Sequence, residues 1–244
     1  MKGLMPIFKR ELRAYFYSPV AYVFIIIFLV SNVGCTFLLG NFYRANQASL
    51  ETFFLFHPWL YLILIPAVGM RLWSEERRSG TVELLLTFPV TLTTVVMSKF
   101  LAAWTFIAIA LFLTFPMIFT VHYLGDADNG PIISGYLGSL LMAGAYLAIT
   151  SCTSALTKNQ VISFILSVVI CLVLVLLGWG VLSNILNSWF PVWISDLIAQ
   201  FSFTTHFNAL RRGVVDLRDL IYFASVIVFM LMVNVVILDS HKAL

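Results

Sequence analysis

Six apolar blocks constrain this chain more than any other feature: Val20 to Gly40, Phe53 to Met70, Phe100 to Val121, Ile132 to Leu156, Val161 to Leu182 and Leu220 to Leu238. None of them contains an Asp, Glu, Lys or Arg, and His57 is the one residue in them that ordinarily titrates. A helix rising about 1.5 Å per residue needs about 20 apolar residues to cross about 30 Å of hydrocarbon, and the blocks are of that size. Hydrophobic residues are 61% of the chain and charged residues 10%, with a mean hydropathy of +1.00; a soluble domain carries about 25% charged residues to solvate its surface. The expected fold is therefore all-α: a polytopic membrane protein of six transmembrane helices forming a single transmembrane domain over residues 1–244.

The basic residues give the orientation, because short cytoplasmic loops are enriched in Lys and Arg. Six crossings put both termini on one side. Of the 14 basic residues, Lys2, Lys9, Arg10, Arg13, Arg71, Arg77, Arg78, Lys99, Lys158 and Lys242 share that side, and Arg44, Arg211, Arg212 and Arg218 lie opposite. Both termini are then cytoplasmic, and the net charge of +3 reports topology with no implication of nucleic-acid binding.

The basic N-terminus leads into an apolar block too long for a signal h-region, and no small-x-small site follows, so it does not read as a cleaved signal. Residues 1–18 read instead as an amphipathic helix in the cytoplasmic interface. Leu4, Phe8, Leu12, Tyr15 and Phe16 fall on one side of its wheel; Lys9, Arg10 and Arg13 fall on the other. The Ser18-Pro19 step ends it, because a residue before Pro is biased away from helical geometry.

The charges outside these blocks gather at one point. Arg71 to Lys99 reads RLWSEERRSGTVELLLTFPVTLTTVVMSK, with five charged groups between Ser74 and Glu83. Arg71 and Trp73 suit the headgroup level at the end of the second span. Glu75, Glu76, Arg77 and Arg78 are too polar to insert and face water or protein. Gly80 allows a sharp change of direction, and Thr81 is placed to cap a new helix with Glu83 near its positive end. Leu84, Leu85 and Leu86 add an apolar surface, Pro89 breaks the element, and Thr91 to Thr94 start the third span. The outcome is a rigid lever between two spans.

What the spans lack narrows the function. They carry no carboxylate or basic group to relay a coupling ion, and the chain has no GxxxxGK[ST] phosphate-binding loop. If the chain moves a substrate against a gradient, the energy must come from a partner, and the polar island is where a partner could push. Cys35, Cys152 and Cys171 lie within spans without metal-type spacing and read as small buried apolar residues. His57, His122 and His206 form no ligand cluster and read as interfacial hydrogen-bonding residues, while Asp216, Arg218 and Asp219 read as an exposed turn before the last span. The fourth block repeats small residues at four-residue spacing, Gly135, Ser139 and Ala143, then Gly144, Ala148 and Cys152, which suits a helix in the bundle interior.

SEERRSGTVELLLTFPVT, Ser74 to Thr91, resembles the hallmark of ABC-2 type transporter permeases: an acidic pair at Glu75 and Glu76, Gly80-Thr81, Glu83 followed by Leu84 and Leu85, then Pro89. KREL at Lys9 to Leu12 and the six-span plan extend the resemblance over the chain. FSFTTHFNALRRGVVDLRDLIYF, Phe201 to Phe223, is similar to the segment before the last span in the gliding-motility (Gld) branch. The resemblance implies a permease of the bacterial inner membrane that binds no cofactor itself and joins a cytoplasmic ABC ATPase using ATP and Mg. It implies a homodimer or pairing with a second permease, often with an auxiliary extracytoplasmic membrane protein. It makes residues 71–99 the coupling region docking in the ATPase, flanked by the N-terminal helix. The long apolar loop 183–219, with Trp189, Pro191, Trp193 and Ile194, is expected to fold as re-entrant extracytoplasmic helices capping the bundle. Three function classes remain: an exporter permease, a non-exporting subunit transmitting ATPase motion to an extracytoplasmic partner, and a membrane enzyme, the last disfavoured because no titratable pair sits at active-site depth.

Overall fold

The structure is a computed structural model describing residues 4–40, 42–43, 48–80, 91–180, 188 and 191–240. Every regular element among these is helical: α1 (Leu4–Tyr17), α2 (Pro19–Gly34, continued by a π-turn over Cys35–Leu39), α3 (Glu51–Leu55), α4 (His57–Gly69), α5 (Arg71–Ser79), α6 (Leu92–Phe112), α7 (Pro116–Leu124), α8 (Asn129–Leu156), α9 (Gln160–Leu176), α10 (Val192–Ala199), α11 (Phe203–Arg211) and α12 (Leu217–Ser240).

Four helical stretches are long and apolar enough to cross a membrane: Pro19–Leu39, Leu92–Leu124, Asn129–Leu156 and Leu217–Ser240. The second and fifth blocks form shorter helices. The second is interrupted at Phe56, where His57-Pro58 opens α4; a proline in the first helical turn supplies no N–H, so the chain restarts there at little cost. The fifth gives the 17 residues of α9. Ser18 is extended, at ψ 127°, and separates α1 from α2 as the Ser-Pro step predicts.

Helix α8 is the hub. The share of its apolar window buried in the protein is 72%, against 28% for Pro19–Leu39 and 17% for α12, and α3, α4, α5, α6, α9, α11 and α12 all pack on it. Its small residues make this geometry accessible, because a missing Cβ lets a neighbour reach the backbone. A Cβ on Gly135 would overlap the Phe54 ring, and one on Gly138 would meet Leu210 side-chain atoms at 2.8 Å. Gly135→Ala is accordingly expected to destabilise the bundle by about 1–3 kcal/mol, the usual cost of overpacking, seen as a lowered midpoint for unfolding in detergent.

Several polar expectations change. His57 is fully buried and not interfacial: the Asn32 amide donates to its Nε2 at 2.8 Å, and Nδ1 donates to Ser139 Oγ at 2.7 Å, which also meets Tyr61 OH at 2.6 Å. This neutral chain links α2, α4 and α8 where an unmet polar group would be costly. Asp219 is buried, not exposed, because His206 Nδ1 lies 2.6 Å from its carboxylate, while His206 Nε2 donates to Gln200 O at 2.8 Å. His122 is exposed and bonds Asn129 Oδ1 at 3.1 Å. Within the expected cap, α11 buries Phe203, Phe207 and Leu210 in the bundle; residues 181–187 and 189–190 lie outside the described residues.

The loops sort to two ends. At one end Arg211 Nη2 lies 3.2 Å and Arg212 Nε 3.8 Å from Glu51 Oε1, and Gly213 lies against Pro131. At the other end α1 and α5 meet around Lys99, and Arg77 of α5 reaches the end of α8.

Candidate functional site

Helix α5 begins where the second apolar block runs out at Met70, and it stops where Gly80 turns left-handed at φ +72°, with the Gly80 N–H donating to Glu76 O. Glycine pays no Cβ penalty there. Arg77 and Arg78 in the last turn meet the negative end of the helix dipole.

Three contacts fix α5 to the end of α8. At the step from α4 to α5, one hydroxyl serves three backbone groups: Ser154 Oγ accepts from the N–H groups of Trp73 and Ser74, each at 3.0 Å, and donates to Met70 O at 2.8 Å. A hydroxyl placed there meets N–H groups in the first turn of α5, where a helix leaves its donors without partners of its own. Next to it, Trp73 Nε1 donates to Ser151 Oγ at 3.1 Å, and Asn234 Nδ2 of α12 donates to the same oxygen at 2.6 Å. Trp73 is 1% exposed, so its indole belongs to the core and not to the headgroup layer expected from the sequence. Its large ring finds both apolar contact and a partner for its N–H against α8. Arg77 donates to Ala155 O, one of the last carbonyls of α8, which lacks a partner within its own helix.

A fourth contact fixes α5 to α6 and α1. The polar region was expected to run to Lys99, but α6 starts at Leu92, and Lys99 lies two turns inside it with only 4% of its surface exposed. Lys99 Nζ lies 2.7 Å from Glu76 Oε1, 3.4 Å from Glu11 Oε2 and 3.4 Å from Leu72 O, and it stands 5.2 Å from the centre of the Trp73 ring. Arg10 Nη2 adds a contact of 2.7 Å to Glu11 Oε1. An ammonium can be held this deep only because two carboxylates, a carbonyl and an aromatic face replace its water. Three helices far apart in sequence are joined through one nitrogen.

Helix α1 packs on protein rather than lying on lipid with its whole apolar side. Tyr15 stacks on Phe106 of α6 with ring centres 5.2 Å apart, and Phe16 meets the same ring edge-on at 5.9 Å. Burial, and then the Glu11 carboxylate, hold the Tyr15 phenol well above its ordinary pKa, so it stays neutral. Leu12 packs against the same core, Phe8 is partly covered, and Lys9, Arg10 and Arg13 remain exposed.

The residues singled out from the sequence therefore divide. Glu75 and Arg78 are exposed on the outer face of α5 with Arg71; Glu76 and Arg77 turn inward; Gly80 ends the helix. Thr81, Glu83, Leu84 and Leu85 lie outside the described residues. Sequence reasoning missed Glu11, Lys99, Ser151, Ser154 and Asn234 as partners of the lever. The available signal was Lys99 itself, a lone cation at the very edge of an apolar block, which demands a partner. Among the described residues no group of three or more His, Cys, Asp or Glu could hold a metal ion.

The family model described as "ABC-2 family transporter protein" matches residues 5–239. No curated protein matches the chain.

Proposed function

Because the chain belongs to the ABC-2 family of transporter proteins, a membrane permease subunit that pairs with an ABC ATPase, we propose that α5 is the lever through which ATP hydrolysis in that partner drives export. The observation that carries this reading is the fixing of α5 on one side and its exposure on the other. Ser154, Ser151, the Ala155 carbonyl and Lys99 hold its inner face, while Arg71, Glu75 and Arg78 are exposed. A push on the free face has no soft joint in which to dissipate, so it moves α6 and α8 as packed units, in the manner of shear between helices.

The segment 81–90, with Thr81, Glu83, Leu84 and Leu85, continues the docking surface in this proposal. ATP and Mg are used by the partner; this chain contributes no group to their chemistry. The lever end is cytoplasmic, with both termini, in a bacterial inner membrane crossed six times, α3–α4 and α9 with its following residues making the two shorter crossings. The clustering of Arg211 and Arg212 with Glu51 at the opposite end supports that division of loops, and the excess of Lys and Arg at the lever end sets its sign. We place the chain in the gliding-motility-type branch on the Phe201 to Phe223 segment, working as a dimer with a second permease subunit, with an auxiliary extracytoplasmic protein.

The test is co-purification. The double variant Glu75→Lys, Arg78→Glu reverses the free face without touching an inner contact, and it is expected to lose the ATPase from the purified complex. A cluster of docking charges of this kind contributes about 2 kcal/mol or more when opposed, a loss of about thirtyfold in affinity. Retention of the ATPase together with ATP-dependent transport would refute the assignment.

A further inference from the structure

A cleft of about 520 Å³ opens beside the lever, between α1, α2, α4, α5 and α6. Its two ends differ in chemistry. Val23, Phe24 and Ile27 of α2 face Leu64 and Val68 of α4 along the apolar end, while Arg71 and Glu75 of α5 stand at the polar end. Both walls run the same depth. Val20 to Ile27 and Leu64 to Arg71 each cover eight residues, about 10 Å of helical rise, or roughly the first third of a hydrocarbon layer.

The charges at the mouth are not equivalent. Lys99, Glu11 and Glu76 also line the cleft, but they are committed to one another. Arg71 and Glu75 form no ion pair among the described residues, although one helical turn separates them. A cation placed N-terminal to an anion at this spacing is the weaker order for pairing within a helix. The cleft thus offers one free guanidinium, one free carboxylate and an apolar slot leading away from both. Counting all five lining charges, three carboxylates oppose two cations, which disfavours a ligand carrying only negative charge.

We infer that this cleft holds one bilayer phospholipid with a zwitterionic head, its phosphate on Arg71, its ammonium on Glu75 and the upper part of an acyl chain between α2 and α4. The guanidinium is matched to phosphate by geometry, the carboxylate to an ammonium by charge. A lipid seated there fills the gap between α1 and α5, so it is part of the surface that the lever presents. The inference rests on the membrane-spanning reading and not on ATPase docking, and its test needs no nucleotide.

The full chain, purified in detergent, is equilibrated with equal phosphatidylethanolamine and phosphatidylglycerol, and lipids retained per chain are counted by native mass spectrometry. One phosphatidylethanolamine per chain is expected, favoured over phosphatidylglycerol by about tenfold. Glu75→Gln should remove that preference, and Glu75→Lys should turn it toward phosphatidylglycerol. Ala67→Trp, which fills the apolar half without altering a charge, should reduce both lipids. Equal retention of the two lipids by the unaltered chain would overturn the inference, as would a lipid count indifferent to Ala67→Trp. Disulfide trapping of two chains through Ile27→Cys would put a second copy in the cleft and overturn it equally.

Discussion

Lys99→Met is expected to destabilise the protein by about 3–5 kcal/mol, because it leaves two largely buried carboxylates facing each other without their cation. The side chains of Glu11 and Glu76 are 17% and 20% exposed, and Lys99 is the cation shared between them. Arg10 compensates Glu11 in part, from a side chain that is 63% exposed, so the larger share of the loss falls on Glu76 and on α5. The measurement is the unfolding midpoint in detergent, and the same variant should lose ATP-dependent transport more completely than it loses the ATPase. Neutralising both acids as well, in Glu11→Gln, Lys99→Met, Glu76→Gln, should recover most of the stability, since a buried ion cluster replaced by uncharged groups of similar volume costs little. If the single variant is as stable as the parent chain, the join at Lys99 is not what holds α1 and α5 to α6. If the triple variant recovers stability but not transport, the ion cluster transmits movement and does more than fill space.

Ser154→Ala carries the second large effect. Removing one hydroxyl strips the N–H groups of Trp73 and Ser74 of a buried acceptor and Met70 O of a donor. An unmet buried donor costs about 1–3 kcal/mol, and two are exposed to that cost at once. The step between α4 and α5 is expected to lose its fixed angle. ATPase bound to the free face should then remain attached while transport per ATP hydrolysed falls, a split that distinguishes a loose joint from a damaged docking surface. Ser240→Ala, at an exposed site where the hydroxyl donates to Ile237 O within its own helix, is the matched control and should change neither quantity. Full transport efficiency in Ser154→Ala would mean that the hinge needs no such support.

The two variants test different things. Lys99 is on α6 and gathers the N-terminal helix; Ser154 is on α8 and fixes the start of α5. They act on different atoms of α5, although both touch Trp73 and α6 also packs on α8; if α5 moves as one rigid piece on two separate supports, their costs should add in the double variant to within about 0.5 kcal/mol. A marked departure from additivity would show that α5 itself deforms when either support is lost.

Much of the architecture was legible in the linear order of residues. Runs without charge have to form helices in hydrocarbon, Pro19 and Gly80 mark breaks by their own backbone chemistry, and the small residues of α8 announce a helix that others approach closely. The position of α5 was legible too, because charges that cannot enter lipid must cluster where the chain leaves it. What the sequence could not reveal is which of those charges look inward. Glu76 and Arg77 are as polar as Glu75 and Arg78, and only the packing of α5 on α6 and α8 turns the first pair onto Lys99 and the Ala155 carbonyl. The same holds for Trp73, which composition assigns to the headgroup layer and which Ser151 draws into the core. Periodicity fixes the face a residue occupies on its own helix, whereas the partner of that face, and so the energy of every buried polar group on it, exists only once distant helices are brought together.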